Sequence, residues 1–147
     1  DDIDAIIEHV ATASFSAKQW SVPWQMRIVF HGVRIGPTAE SALYHVLKRV
    51  VHDRQWSIGT SLSDYLTDVS SAVRSPGARI AIYRRWNQTT VAFLSETLVT
   101  VPSHRLGSAA LPFTLVLYSA DTGKISTAHM VVSETAARIP GHARWLR

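Results

Sequence analysis

Four side chains suited to binding or protonating a phosphate fall between positions 45 and 52: His45, Lys48, Arg49 and His52, in the stretch SALYHVLKRVVHD at 41–53. They recur at offsets of three, four and seven, which places them on one side of a helix, with Leu43, Val46, Leu47, Val50 and Val51 on the other. Imidazole titrates near neutrality and can move protons, while an ammonium or guanidinium group stabilises charge building on a pentacoordinate phosphorane. Two readings of the stripe stand side by side. It is either the solvated outer face of an amphipathic helix, or one wall of a site that handles phosphate.

A second group of reactive side chains lies late in the chain. If Ser119 pairs with Lys124 across the ADTG turn, alternation collects Thr114, Val116, Tyr118, Ile125, Thr127 and His129 on one face. The other face takes Phe113, Leu115, Leu117, Ala128 and Met130 and reads as the core side. A phenol, several hydroxyls and an imidazole then face away from the core, with Thr114 opposite His129. The segment 78–86 adds Arg79, Tyr83 and Arg85 to one face. Outer faces of antiparallel sheets are ordinarily polar, and a slip of one residue exchanges the two faces, so the expectation concerns register as much as chemistry.

Other motifs are excluded or weak. His9, His104 and His142 read as isolated surface residues, and no His, Asp and Glu set has metal-ligand spacing. There is no Gly-rich phosphate loop, no G-x-S-x-G elbow and no glycosidase-like carboxylate pair. Without cysteine there is no disulfide, thiolate nucleophile or Cys-based zinc site. The five tryptophans read as core or rim packing rather than base-stacking platforms.

These groups need elements to hold them. Ile3, Ile6, Ile7 and Val10 fall at helical spacing behind three aspartates that suit a helix start. The runs MRIVF and VRI flank His31-Gly32, a tight-turn pair. Thr38, after Pro37, is placed to cap a helix over about 38–53. A second helix spans 60–75, where Leu62, Tyr65, Leu66, Val69 and Val73 recur every three or four residues until Pro76-Gly77 stops it. From there the period changes to two. Segments 78–86, 89–94, 113–119 and 123–132 read as strands, with turns at Asn87-Gln88 and 120–123, and LVTV at 98–101 reads as one more short strand. Helices followed by strands imply an α+β fold, with N-terminal helices packed on one face of a C-terminal antiparallel sheet of about four strands.

The composition agrees with one domain. The chain has 147 residues, 46% of them hydrophobic and 18% charged, enough for a core and too few charges for disorder. Fifteen Lys and Arg against eleven Asp and Glu give a net charge of +4, a mild bias towards an anionic partner. The longest apolar run, at 108–120, contains a proline and is too short to span a bilayer. The chain opens at DDIDA without methionine, which we read as a piece of a longer polypeptide.

The segments ALYHVLKRVVHD, SLSDYLTDV and VLYSADTGKISTAH, in that order, resemble the C-terminal toxin domains of bacterial polymorphic and contact-dependent growth inhibition systems. More narrowly, they are similar to the ribonucleases that share the barnase–EndoU–colicin–RelE fold. The resemblance covers about residues 38–135, leaving 1–37 as a helix and hairpin-like lead-in and 136–147 as a basic tail. It implies an endoribonuclease that needs no metal or cofactor and cleaves RNA, tRNA being one candidate, to a 2′,3′-cyclic phosphate. His45 takes the place of the helix histidine and Lys48 that of the neighbouring lysine, while Thr127 and His129 fall where the family sets hydroxyl or basic groups on a late strand. Arg49 stands where a second histidine is expected, with His52 available instead, so the general base stays open between His45 and His129. The other group would protonate the leaving 5′-oxygen, with Lys48, Arg49 or Arg85 stabilising the phosphorane. Arg49, His52, Tyr83, Arg85 and Tyr118 would hold the RNA. The resemblance further implies a cognate immunity protein over the basic cleft, a monomer apart from that inhibitor, and delivery within a larger secreted or surface polypeptide into a target cell's cytoplasm. Three other readings stay open. One is a non-catalytic RNA-binding or interaction module. Another is an ADP-ribosyltransferase-like domain, for which Glu134 lacks a second glutamate two residues away. The last is an immunity-type partner, against which the basic charge argues.

Overall fold

Past Pro76-Gly77 the chain leaves helices for strands, and the computed structural model, which describes residues 2–97 and 103–147, is accordingly mixed α+β. The LVTV segment at 98–101 lies outside the described residues. The first half holds α1 (Asp2–Ala11), β1 (Gln19–Ser21), β2 (Val29–Phe30), β3 (Val33–Arg34), β4 (Thr38–Glu40), α2 (Ser41–Leu47) with a π-helical turn Lys48–His52, and α3 (Leu62–Arg74). The second half holds β5 (Arg79–Arg85), β6 (Gln88–Glu96), β7 (Phe113–Ser119), β8 (Lys124–Val131) and β9 (Arg144–Trp145), antiparallel in the order β8-β7-β6-β5-β9. Among the described residues no helix is long and apolar enough to cross a membrane.

Local chemistry accounts for most boundaries. α3 begins with a capping box in which the Asp64 amide donates to Ser61 Oγ at 3.0 Å and the Ser61 amide to Asp64 Oδ2 at 3.3 Å. The β2–β3 hairpin turns at His31-Gly32, both with positive φ, as a two-residue turn requires. The β5–β6 turn is Trp86-Asn87, one residue earlier than expected, because Gln88 already pairs with Arg85. α2 starts at Ser41 and not at 38: Thr38–Glu40 is a strand paired with β1, so Thr38 caps nothing.

The sheet departs from the expected register at one residue. Ser119 pairs with Lys124 and Tyr118 with Ile125, but Leu117 then pairs with Thr127, leaving Ser126 as a bulge. That extra residue exchanges the faces beyond it. Ala128 and Met130 join Val116, Tyr118 and Ile125 on the helix-covered side with Ile80, Val91 and Phe93. Thr127 and His129 stand opposite Leu117 and Leu115, and Met130, not His129, faces Thr114. The far side is also covered. Ala81, Tyr83, Ala92, Leu94, Leu115 and Val131 pack there under Ala137, Ile139 and Ala143, so the basic tail folds back and adds β9 as a fifth strand. Two buried faces explain why FTLVLYS is apolar on both sides.

β8 is a sheet edge, and the first half of the chain seals it. The Ser16 amide donates to the Ile125 carbonyl and the Ile125 amide to that of Ser14, each at 2.9 Å. Tyr65 Oη donates to the Ala128 carbonyl at 2.6 Å. Gln55 takes both polar groups of Met130, donating from Nε2 at 3.0 Å and accepting at Oε1 at 2.7 Å. Gln55 is itself pinned by the Gly107 amide, which donates to its carbonyl at 2.9 Å. A Cβ on Gly107 would come within 2.0 Å of the Arg54 carbonyl oxygen, so only glycine fits there. Replacing Tyr65 with Phe leaves the Ala128 carbonyl buried without a partner. We expect a loss of about 1–3 kcal/mol, read as a lower urea midpoint with an unchanged slope. An unchanged midpoint would show that the edge is sealed without the phenol.

Candidate functional site

The basic stripe on the second helix does not stay together. At its end the Asp53 amide donates to the Lys48 carbonyl at 2.8 Å, five residues back, so the last turn is wider than α. His45 and Arg49 are turned inward, 6% and 7% exposed, towards the outer edge of β8. Lys48 is half-buried, and the His52 side chain stays 70% exposed. The stripe is therefore not a solvated outer face.

A continuous line of polar contacts joins the surface to the interior. His52 Nδ1 lies 2.7 Å from Asp53 Oδ1. Arg49 donates from Nη1 to Asp53 Oδ2 at 2.7 Å and from Nη2 to Thr127 Oγ1 at 3.0 Å. Thr127 Oγ1 in turn lies 3.5 Å from His45 Nδ1. Residues 78 and 82 positions apart in sequence thus meet at the bulged strand. The ring of His45 is walled by Phe15, Trp20 and Tyr44, with centroids 5.3–6.0 Å away. His45 Nε2, Arg49 Nε and His129 Nδ1 are buried without a hydrogen-bond partner among the described residues.

The electrostatics are set by burial and by Arg49. Desolvation lowers the His45 pKa to about 4, helped by the charges of Arg49 and Lys48 and opposed by the Ser126 backbone. His129 is also lowered to about 4, by desolvation first and then by Arg49, with Asp53 opposing. Both imidazoles are therefore neutral at pH 7, with a free lone pair on each ring. Burial works to raise the Asp53 pKa, but hydrogen bonds and charge from His52 and Arg49 outweigh it, so Asp53 is held as a carboxylate. Tyr65 is driven up by burial, with Arg49 close enough to oppose.

Three residues expected at the site do meet, His45, Arg49 and Thr127, and His129 lies near enough to share the charges of Arg49 and Lys48 with His45. Lys48 and His52 border them. The other three are placed elsewhere. Tyr118 is buried on the helix-covered face against His9, ring centroids 5.8 Å apart, because the bulge leaves it on the core side. Tyr83 packs into the far-side cluster, and Arg85 is exposed at the β5–β6 turn. Both sit on β5, three strand spacings or about 14 Å from β8. Sequence reasoning missed Asp53, although an acid four residues after Arg49 is a visible ion-pair spacing. It also missed the edge-sealing role of Gln55 and Tyr65, for which one strand's sequence carries no signal. Among the described residues no three His, Asp or Glu side chains gather as metal ligands would. The chain has no match among protein-family models, curated proteins or solved structures.

The buried imidazoles carry a pH signature. In the unfolded chain they take up protons near pH 6.5, in the folded protein only near 4. Between those values the unfolded state binds more protons, so stability falls as pH drops from about 6.5 to about 4 and owes nothing to them above that range. We expect the unfolding free energy to fall by on the order of 3 kcal/mol for His45 across this window, and H45Q to flatten that part of the profile. A wild-type profile that is level from pH 6.5 to 4 would contradict the burial argument.

Proposed function

We propose that this chain is an endoribonuclease domain acting without a metal, of the kind found at the C-termini of bacterial polymorphic toxins. The observation that carries the reading is the meeting of His45, Arg49 and Thr127 at the bulged edge of β8, with His129 two residues along the strand within reach of the Arg49 charge and the His52–Asp53 pair at the mouth. A neutral histidine, His45 or His129, takes the proton from a ribose 2′-OH, whose oxygen attacks the adjacent phosphorus. Arg49 and Lys48 stabilise the charge on the phosphorane. With both buried imidazoles neutral at pH 7, neither is a ready acid. His52, exposed and held by Asp53, protonates the leaving 5′-oxygen, and a 2′,3′-cyclic phosphate results. The donor set is cationic with a single carboxylate, which suits a phosphate better than a divalent ion. An immunity protein over this basic mouth, and delivery within a longer polypeptide into a competitor's cytoplasm, belong to the same reading.

A second reading is favoured by the burial of His45 and Arg49. In it the polar line is a structural seal, and the chain binds RNA without cutting it. Incubation with total bacterial RNA in excess EDTA separates the two. We expect discrete fragments ending in cyclic phosphate, loss of cleavage in His129→Gln, and a roughly hundredfold lower kcat in His52→Ala, an exposed position whose change leaves the core intact. RNA bound but uncut would support the second reading. RNA neither bound nor cut would sink both.

A further inference from the structure

Among the described residues, Trp24 and Val29 are large apolar side chains left exposed on the lining of one cavity at the β2–β3 hairpin. Trp24 is 76% exposed, contrary to the expectation of packing. Its ring is not loose. Arg27 donates from Nε to the Val22 carbonyl at 3.0 Å, which holds its guanidinium 5.2 Å from the centre of the indole. Across the hairpin Val29 pairs with Arg34. Trp24, Arg27, Val29, Arg34 and Pro37 line a cavity of about 310 Å³ that contains no acidic side chain. Neither arginine is ion-paired among the described residues.

We propose that this cleft is a base-stacking subsite for single-stranded RNA, with one nucleobase on Trp24 and the flanking phosphates on Arg27 and Arg34. The inference rests on the nuclease reading for its placement, since the turn Trp24–Met26 packs beside the π-helical turn Lys48–His52. A strand held on Trp24 would run on to the mouth that His52 marks. An indole offers its face to any base, and two unneutralised guanidinium groups need an anion. A peptide partner would call for acidic residues spaced to match, whereas a nucleic-acid strand carries a phosphate at every step.

The test uses a short fluorescent 2′-O-methyl RNA strand, which lacks the attacking hydroxyl, with binding read by anisotropy. Trp24→Ala should raise Kd about tenfold and Trp24→Phe should restore most of the affinity. Arg34→Ala should reduce the slope of log affinity against log salt by about 0.7. Trp86→Ala, 85% exposed at the β5–β6 turn, should bind as wild type does. Equal binding by Trp24→Ala and wild type, or an equal loss in Trp86→Ala, would overturn the proposal. The two readings fail separately. Binding lost in Trp24→Ala while RNA survives intact in EDTA leaves the subsite standing and removes the nuclease. Cleavage that Trp24→Ala retains, with unaltered binding, removes the subsite alone.

Discussion

The central strands β6 and β7 of the five-stranded sheet are largely buried, and one of its edges, β8, is buried along much of its length as well. A peptide group left without a partner in such a place costs about 1–3 kcal/mol, so the rest of the chain must reach that edge with donors and acceptors. It does so from three separate places. The backbone of Ser14 and Ser16 closes on Ile125, the phenol of Tyr65 on Ala128, and the amide of Gln55 on both groups of Met130. The same requirement fixes where the helices lie. Tyr65 can reach Ala128 only if α3 crosses the face near β8, and Gln55 can reach Met130 only if the segment after the π-helical turn runs along the edge. Docking of the helical half onto the sheet is thus specified by hydrogen bonds as well as by apolar burial.

The polar cluster grows from this arrangement. Six residues before Gln55, the widened helix end directs Arg49 to the same edge, and the bulge at Ser126 brings Thr127 round to receive it. Without the extra residue, Thr127 would alternate to the other face and Arg49 would meet no hydroxyl. The bulge and the π-helical turn are each one residue out of regular register, in partner segments that meet. Irregularities of both kinds gather at functional sites because they re-aim side chains that regular geometry would point elsewhere.

That explains what could be read in the sequence and what could not. The change of period after Pro76-Gly77, the His31-Gly32 turn and the ADTG turn are local signals, and each element they announce is present. His45, Arg49, Thr127 and His129 were recognisable by residue type and order. Their faces were not. No local feature distinguishes Ser126 as a bulge, so alternation counted from Ser119 sends Tyr118 outward and Ala128 to a separate core, when the two share one. Nor can a helical wheel tell that a histidine and an arginine opposite the apolar side are covered by another strand. Arg85 and Tyr83 were grouped with the site by strand alternation alone, which is silent on how many strands intervene. Trp24 and Trp86 show the same limit from the other direction, being apolar by type and exposed by position.

Arg49 is the member of the cluster that stability explains least. Taking a guanidinium and a carboxylate out of water is costly, and buried pairs of this kind can often be replaced by apolar groups without loss. The edge of β8 needs no charge to be sealed, since Tyr65 and Gln55 seal their parts of it with neutral groups. Arg49 adds a cation whose Nε has no partner among the described residues, and whose field, after desolvation, is the next cause holding His45 and His129 neutral. Asp53 opposes that field at His129 without cancelling it, so both imidazoles still feel the charge of Arg49. Sealing the edge does not by itself require that field. In the nuclease reading proposed above, the same field keeps both imidazoles free to accept a proton.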